Sequence, residues 1–386
     1  MYSISRFQQV LKALPRGAFA QIVQRHQGDK HVKRFTCWDQ LVAMLYVQLC
    51  GAESLRQLGA GLNAQPRQHY HLGIGMTARS TLSDANGKRS PLIYAELLQL
   101  LMAQVGRRMR GQRQELLYLL DATTVDLPAR GCKELRGHAS AHGNHGVKLH
   151  LLLAADGTLP AAASITPGNV NDITPAQKLA IEPGATYVFD KGYCSYNWWY
   201  AMQQQGARWV TRFKRDAALK VIAERPVRHP SILRDTIVVF ARRTPRGGHR
   251  NSYSTPLRRI ELARADAAPL VLATNDLASP AEQIALLYKQ RWQIELFFKW
   301  VKQHLQIGRF VGHNENAVRI QLLTALIAYL LVVLLKSATQ FRGTLWMLLA
   351  QLRAALFQRP ATDQSWWRRR RARHAYIASV QPQLFS

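Results

Sequence analysis

The spacing of the apolar residues changes near residue 115, and this change constrains the fold more than any other feature of the sequence. Before it, apolar residues recur at helical spacing in WDQLVAMLYVQLCGAESLRQLGAGL and PLIYAELLQLLMAQV. After it come short runs of strand length, ELLYLLD, ATYVFD and ARWVTRFK, and GVKLHLLLAADGTLPAAASI, which reads as two strands around Asp156 and Gly157. Helix-like segments separate these runs. The sequence therefore predicts an all-α domain over residues 1–110, followed by a mixed α/β core.

The composition of residues 215–268 differs from that of the chain on either side. This stretch is rich in proline and glycine and contains two strand-like pieces, DTIVVFA and PLRRIELA. We therefore expect a β-rich insertion that separates a first part of the core, over 111–214, from a remainder over 269–345. Residues 346–386 form a basic C-terminal region that contains WWRRRRARH.

Two segments next to predicted helices carry boundary signals. TARSTLSDANGKRS lies between the N-terminal helices and is rich in the Ser, Asp, Asn and Gly residues that punctuate helices. It is either the turn of a helical DNA-binding unit or an ordinary interhelical loop. Further along, Ser279, Pro280 and Glu282 supply an N-cap, a first-turn proline and a capping-box acid. A long helix is therefore expected to begin near Pro280.

The charge of the chain indicates a polyanionic partner. The sequence has 52 lysine and arginine residues against 23 acidic residues, a formal net charge of +29. Such an excess favours nucleic acid. A membrane surface also attracts basic proteins, but here the cations are spread along the chain instead of gathering beside one apolar anchor.

The cysteines and the longest apolar run indicate a cytoplasmic protein. Four cysteines lie far apart without a CxxC pair, and the N-terminus has no signal-peptide apolar region. The run Ile320–Leu335 includes polar residues and is shorter than the ~20 residues that span a membrane. We interpret this run as a buried helix.

Two aspartates follow nearly all-apolar strands. Asp121 ends the first run, in YLLDATTVDL, and Asp190 ends the run in YVFDKGY. Carboxylates at strand ends stand at the rim of a sheet, where ligands approach. An aspartate after a strand can also be a turn or cap residue. Asp126, five residues beyond Asp121, is an alternative first acid.

A glutamate on the predicted long helix lies in a row of cations. With about 100° of rotation per residue, Tyr288, Arg291, Glu295 and Lys302 fall within about 60° of one another. The neighbouring face is apolar, so this polar stripe borders the core. The stripe is also consistent with an ordinary helix ion pair between Arg291 and Glu295. An acid among cations, however, suits a metal site that handles phosphate.

These residues resemble the transposases of the insertion sequence 4 family. The stripe has the spacing Y-(2)-R-(3)-E-(6)-K of that family's signature, and YLLDATTVDL and YVFDKGY are similar to its two aspartate motifs. The first 75 or so residues resemble the helical N-terminal domain found in a subset of these proteins. The resemblance implies a ribonuclease-H-like catalytic core, with the β-rich insertion between the second aspartate and the glutamate.

The resemblance also implies the residues of the active site. Asp121, Asp190 and Glu295 would be catalytic and would ligate two Mg²⁺ or Mn²⁺ ions, which prefer oxygen ligands. The expected DNA-binding residues are Tyr288, Arg291 and Lys302, with Lys191 and Lys148 as further candidates that are otherwise plain surface charges.

The implied activity is that of a DNA transposase. Phosphodiester cleavage needs positive charge and an activated oxygen, which two metal ions supply. The implied partners are double-stranded DNA, as terminal inverted repeats and target, and a second copy of the chain on DNA. The expected location is the bacterial cytoplasm, on the nucleoid.

Other readings of the sequence stay open. Cys132, His138, His142 and His145 fall in one loop and are plausible zinc ligands, although their spacing matches no standard finger. The chain is alternatively a DNA-binding protein derived from a transposase, without catalysis, or a nuclease that does not join strands. Aromatic residues of the insertion, Phe240 and Tyr253, stack on an unpaired base or pack in a core.

Overall fold

The computed structural model describes residues 4–110, 116–127, 146–154, 159–214, 217–241, 250–265 and 267–359. The N-terminal region is helical, as predicted. Its helices are α1 (Arg6–Leu11), α2 (Arg16–Arg25), α3 (Cys37–Cys50), α4 (Leu55–Asn63), α5 (Pro66–Leu72), α6 (Arg79–Lys88) and α7 (Leu92–Arg110). Helix α3 is defined at both ends, because Thr36 and Asp39 form a capping box and Gly51 adopts a left-handed conformation at the C-cap (φ 73°).

Helix α6 occupies the polar stretch that the sequence assigned to a turn or loop, so that expectation is wrong. Serine, asparagine and glycine are weak helix formers, and few apolar residues mark a buried face. The buried positions Leu82, Ala85 and Asn86 nevertheless recur at helical spacing. The Asn86 amide oxygen accepts a 2.7 Å hydrogen bond from the buried side chain of Gln40. Tertiary packing and a satisfied polar contact therefore outweigh the low helix propensity.

A nine-stranded sheet forms the second half of the molecule. Its strands are β1 (Leu117–Asp126), β2 (Gly146–Ala154), β3 (Leu159–Pro167), β4 (Thr186–Phe189), β5 (Arg208–Arg212), β6 (Leu219–Glu224), β7 (Ile232–Phe240), β8 (Leu257–Leu262) and β9 (Leu270–Thr274). Their order is β3-β2-β1-β4-β5-β9-β8-β7-β6. Strands β1, β4 and β5 run parallel, and every other neighbouring pair is antiparallel.

The sheet agrees with the expected mixed α/β, ribonuclease-H-like core. Strands β1, β2 and β3 are antiparallel neighbours in chain order. Strands β4 and β5 then extend the sheet on the other side of β1 and run parallel to it. Strands β6, β7 and β8 lie within the predicted β-rich stretch 215–268, and they extend the same sheet through β9. The expected turn at Asp156 and Gly157 lies outside the described residues. The domain boundaries themselves stay a prediction.

Six helices complete the described fold: α8 (Ile173–Ala176), α9 (Tyr196–Gln204), α10 (Ala281–Gln290), α11 (Trp292–His304), α12 (Glu315–Ala338) and α13 (Leu345–Ala355). Helix α10 begins one residue after Pro280, near the predicted start. Ser279 is not its N-cap, however. The Asp276 carboxylate instead accepts hydrogen bonds from the backbone N–H groups of Ala278 and Ser279, both at 2.9 Å.

The predicted single long helix is divided at Arg291. This residue keeps helical dihedral angles (φ −51°, ψ −33°), but its N–H donates to the carbonyl of Tyr288, and its own carbonyl accepts from the N–H of Ile294. These are three-residue bonds, which tighten a helix locally. The chain therefore keeps helical dihedral angles through Arg291, and Arg291 still meets Glu295, four residues on, at 2.7 Å.

Helix α12 confirms the prediction of a buried apolar helix. It is long and apolar enough to cross a membrane, but 89% of its most apolar window is buried within the protein. It packs against α3, α6 and α7 of the N-terminal region. Its buried Gln321 donates hydrogen bonds to the carbonyls of Gln306 (2.6 Å) and Arg309 (2.8 Å). The segment that follows α11 is thereby held against the helical region.

Candidate active site

Strands β1 and β4 bring two predicted aspartates to the same rim of the sheet. These strands are parallel neighbours, and their register pairs Leu120 with Phe189. Asp121 is the next residue on β1 and Asp190 is the first residue after β4, so their backbones leave this pairing side by side. The register therefore places the two carboxylates where a single ligand can meet both.

Strand β1 does not end at Asp121, which corrects the expectation from the sequence. Its pairing with β2 continues from Asp121 opposite Leu151 to Asp126 opposite Gly146, because β2 supplies backbone partners beyond the end of β4. Asp126, the alternative first acid, is exposed at the far end of the strand. Its position favours Asp121 as the acid next to Asp190.

Helix α11 packs against β1 and supplies the third acid. The guanidinium of Arg291 is 2.7 Å from Glu295 Oε1 and 3.7 Å from Asp121 Oδ2. The side chain of Arg291 is only 17% exposed. The arginine therefore lies between two of the predicted catalytic acids and partly neutralises both.

Asp190 has its own polar partners. The hydroxyl of the buried Tyr288 donates a 3.3 Å hydrogen bond to Asp190 Oδ1, and the guanidinium of Arg212 lies 3.9 Å from the same oxygen. Sequence reasoning missed Arg212. Its position at the end of β5, beside the end of β4, is the signal that could have found it.

The pKa of Asp121 is raised mainly by burial, with smaller contributions from the neighbouring acids. Burial raises it to about 6, although a 2.8 Å hydrogen bond from the N–H of Ala122 and the charge of Arg291 both lower it. The charges of Glu295 and Asp190 also contribute to this raised value. Mutual repulsion between carboxylates at one place is the condition that a bound cation relieves.

The three predicted DNA-binding lysines have different surroundings. Lys302 is exposed, and its ammonium donates a 2.8 Å hydrogen bond to the carbonyl of Thr124 on β1. Lys191 is exposed in a short 3₁₀ turn directly after Asp190. Lys148 is held by Asp172 at 2.9 Å and by a backbone carbonyl. Its ammonium is therefore already engaged, whereas Lys191 and Lys302 face solvent.

Comparisons with known proteins identify the family. The chain matches the family described as "Transposase DDE domain" over residues 112–331. The chain belongs to the DDE transposases. A domain of unknown function, DUF4372, matches residues 3–75 of the transposase, in agreement with the expected N-terminal domain.

Three relatives are named as transposases. One, y4zB of Sinorhizobium fredii, is 42% identical over 65% of this transposase and 69% of its own length. Another, for insertion sequence element IS5377 of Geobacillus stearothermophilus, is 31% identical over 69% and 67%. The third, for element IS4SA of a Synechocystis strain, is 27% identical over 66% and 71%.

A solved structure, that of the piggyBac transposase in a synaptic complex with hairpin DNA, is 10% identical to this transposase. It covers 90% of this chain and 78% of its own, with a TM-score of 0.44. A likeness of this size carries no argument about the site.

The acids of the transposase fit divalent ions by their chemistry. Three carboxylates supply the hard oxygen ligands that Mg²⁺ and Mn²⁺ prefer, and DDE transposases generally use divalent ions. In the described part of the chain, no three acidic, His or Cys side chains are close enough to hold an ion as they stand. Arg291 lies between Asp121 and Glu295 in this arrangement. The predicted zinc ligands Cys132, His138, His142 and His145 lie outside the described residues.

Three buried polar atoms near the acids have no hydrogen-bond partner among the described residues, the Tyr193 hydroxyl, Nδ1 of His150 and Nε of Arg291. Burial raises the pKa of Tyr193, and the charges of Asp121, Asp172 and Asp190 raise it further. Burial lowers the pKa of His150 to about 4, so its ring is neutral. Sequence reasoning assigned no role to Tyr193, His150 or Asp172, although Tyr193 belongs to the quoted DKGY sequence.

The aromatic residues of the insertion pack in a core. Phe240 and Tyr253 lie 5.8 Å apart between ring centroids, and Tyr196 contacts Phe240 at 4.3 Å. Tyr253 is buried and donates a hydrogen bond to Gln203. The ring of Tyr253 is therefore closed to stacking on a base in this conformation, and that of Phe240 is half-buried against Tyr196 and Tyr253.

Proposed function

We propose that this transposase cleaves the ends of its own insertion sequence and joins them to target DNA at Asp121, Asp190 and Glu295. One observation carries the proposal: three parallel strands, β1, β4 and β5, and the helix α11 with its N-cap Arg291 bring three carboxylates and two arginines to a single rim of the sheet. The raised pKa of Asp121 supports a site built for a cation, because burial and neighbouring acids both act on it.

The three acids would hold two divalent ions, which, when bound, activate the attacking oxygen and stabilise the leaving oxygen. The chain positions the acids beforehand. The N–H of Ala122 fixes Asp121, and Tyr288 with Arg212 orients Asp190. Since carboxylates placed in advance lose little entropy on binding an ion, these contacts favour metal binding.

The basic and aromatic side chains would bind the DNA backbone. Arg291 has a planar guanidinium suited to bidentate phosphate contact, and it can exchange its acid partners for phosphate when metal neutralises them. The hydroxyl of Tyr288 lies beside Asp190 at this rim of the sheet. The side chains of Lys302 and Lys191 are exposed to solvent near it. Lys148 takes part only if it leaves Asp172.

The proposed setting follows from the same argument. The partners are the terminal inverted repeats of the element and target DNA, with the N-terminal helical region contributing to DNA binding. Two copies of the chain would assemble on paired ends. The protein would act on the bacterial nucleoid in the cytoplasm.

A cleavage and joining assay with labelled element ends and Mg²⁺ tests the proposal. Asp121→Ala, Asp190→Ala and Glu295→Ala are expected to abolish product while keeping DNA binding, since the acids serve as ligands. The matched control is Asp126→Ala, which removes an exposed acid from the same strand as Asp121. Retained cleavage by purified Asp190→Ala contradicts the assignment. Cleavage without joined product indicates a nuclease, and binding without cleavage by the unmodified chain indicates an inactive DNA-binding protein.

A further inference from the structure

Helix α6 is a ridge between two clefts of the N-terminal region. Its inward side chains are buried, whereas most of its others are exposed. One cleft, of about 1090 Å³, lies between α6 and the segment that joins α2 to α3. The other, of about 750 Å³, lies between α6, the start of α4 and residues 310–314. A polar helix with open space on both sides is arranged to enter a groove in a partner.

Helical geometry sorts the exposed residues of α6 by direction. With about 100° per residue, Ser80 points away from the buried side, and Arg79 with Ser83 points toward the smaller cleft. Thr81 and Lys88 point toward the larger cleft. The cleft linings agree with this division. Short hydroxyl side chains on the crest allow the helix backbone to come close to a partner's surface.

Exposed cations stand on the far walls of both clefts. Lys30, Lys33 and Arg34 line the larger cleft, and Arg56 lines the smaller one opposite Arg79. In the described part of the chain, none of these five side chains forms an ion pair with an acid. Their charge is therefore available to an anionic partner.

The acids of the clefts are already paired or buried. Asp84 lies 3.6 Å from Lys88, and Glu53 pairs with Arg309. Asp39 is buried and accepts hydrogen bonds from its own helix cap and from the N–H of Gly75. The clefts therefore have net positive charge, although one carboxylate, Asp84, remains exposed on the ridge.

Helix α6 is held rigidly at both ends. Asn63 and the backbone of Thr77 exchange two hydrogen bonds of 2.9 and 3.0 Å just before the helix. After it, the buried Arg89 donates to the carbonyls of Phe35 and Thr36. Asn316, at the start of α12, donates to the carbonyl of Gly87. A helix that contacts DNA bases needs such support, because these contacts depend on accurate placement of its side chains.

We propose that α6 enters the major groove of the DNA at the element's ends and reads its sequence there. A helix with side chains is about 10–12 Å across and the major groove is about 12 Å wide, so the ridge fits. The flanking clefts take the two phosphate backbones. Arg79, Ser80 and Ser83 contact base edges, and Asp84 can accept from the amino group of cytosine.

The inference rests on the proposed function in one respect, that the DNA is the end of the protein's own element. It adds the surface that recognises this DNA and its relation to the active site. Residues 310–314 form a wall of the smaller cleft and belong to the segment that joins α11, which carries Glu295, to α12. DNA held at α6 therefore lies against the segment that leaves the catalytic helix.

Fluorescence anisotropy tests the inference without catalysis. The full-length chain carrying Asp190→Ala is titrated, in chelator, against a duplex from the element's end and a shuffled duplex of the same composition. Adding Arg79→Ala, or Ser80→Ala with Ser83→Ala, is expected to weaken binding to the end duplex about tenfold and to change binding to the shuffled duplex little. The control is Arg342→Ala, which removes an exposed arginine outside this surface.

The cations of the walls give a second readout. Lys33→Ala with Arg34→Ala is expected to weaken binding to both duplexes alike and to reduce the slope of log affinity against log salt by about 2. Unchanged binding by the Arg79 and serine variants, or an equal loss on both duplexes, overturns the inference. Neither result changes the outcome of the cleavage assay with the Asp121, Asp190 and Glu295 variants. Failure of this inference is therefore distinguishable from failure of the proposed function.

Discussion

Replacing Asp121 by asparagine is predicted to stabilise the metal-free protein while it abolishes cleavage. Burial and neighbouring acids raise the pKa of Asp121 from 3.8 to about 6, so the ionised carboxylate is less favourable in the folded than in the unfolded chain. At 1.36 kcal/mol per pKa unit, the ionised form costs the fold about 3 kcal/mol at neutral pH. Asparagine can still accept the hydrogen bond from Ala122 and carries no charge.

The sign of the pH dependence follows from this shift. Because the folded state binds the proton more tightly, the wild-type chain loses stability as pH rises through the range between 3.8 and about 6. The advantage of Asp121→Asn is therefore largest near pH 7.5, about half as large at pH 5, and absent below pH 3.8.

Urea unfolding in chelator at pH 7.5 and pH 5 measures this difference. The control is Asp126→Asn, an exposed carboxylate on the same strand, which is expected to change stability by less than about 0.5 kcal/mol. Added Mg²⁺ should reduce the difference in stability between the Asp121→Asn and wild-type proteins, because Mg²⁺ binds the carboxylate more tightly than the amide. An Asp121→Asn protein that is no more stable at pH 7.5, or whose gain is the same at both pH values, refutes the reasoning.

Three further substitutions test individual contacts. Tyr288→Phe removes the hydroxyl that donates to Asp190 and should slow cleavage about fivefold; no change in rate would contradict a positioning role. Gln321→Ala removes the donor to the carbonyl of Arg309 and the closer of two donors to the carbonyl of Gln306, and should lower the free energy of unfolding by about 1–3 kcal/mol, measured by urea titration. Arg258→Ala removes the nearest partner of the buried Asp235, which keeps only Arg225 at 3.6 Å, and should lower the free energy of unfolding by about 3 kcal/mol; the double variant with Asp235→Ala should recover part of this loss, and a fully additive loss would argue against the pair.

The sequence predicted those features of the fold that depend on strong periodic patterns. The helices of the first 110 residues, the strands that carry Asp121 and Asp190, and the burial of α12 all follow from apolar spacing. Part of the predicted stripe from Tyr288 to Lys302 also follows from local spacing, since Arg291 and Glu295, four residues apart, form an ion pair. Each of these signals is local, and local signals survive without knowledge of the tertiary structure.

Other features depend on contacts between distant parts of the chain and could not be predicted locally. Helix α6 forms because Asn86 meets Gln40, a pairing across 46 residues. Strand β1 passes Asp121 because β2 extends beyond β4. Arg212 joins the site only because β5 lies parallel to β4 and next to it, and the sequence does not show which strands are neighbours in the sheet.

The lysines illustrate the same limit for the candidate site. Lys302 and Lys148 look alike in sequence, as basic residues near a predicted acid or strand. The structure distinguishes them, since Lys302 is exposed and Lys148 is engaged by Asp172. An acid 24 residues away along the chain decides which of the two charges is available to DNA.

Metal rescue of a cysteine variant tests the central claim most directly, namely that Asp190 binds a catalytic ion. Thiolate is a poor ligand for Mg²⁺ and a better one for softer divalent ions such as Mn²⁺. Asp190→Cys is therefore predicted to cleave element-end DNA in Mn²⁺ and not in Mg²⁺, whereas Asp190→Ala stays inactive in both. Equal activity of Asp190→Cys in the two ions, or full activity of Asp190→Ala, would contradict the account.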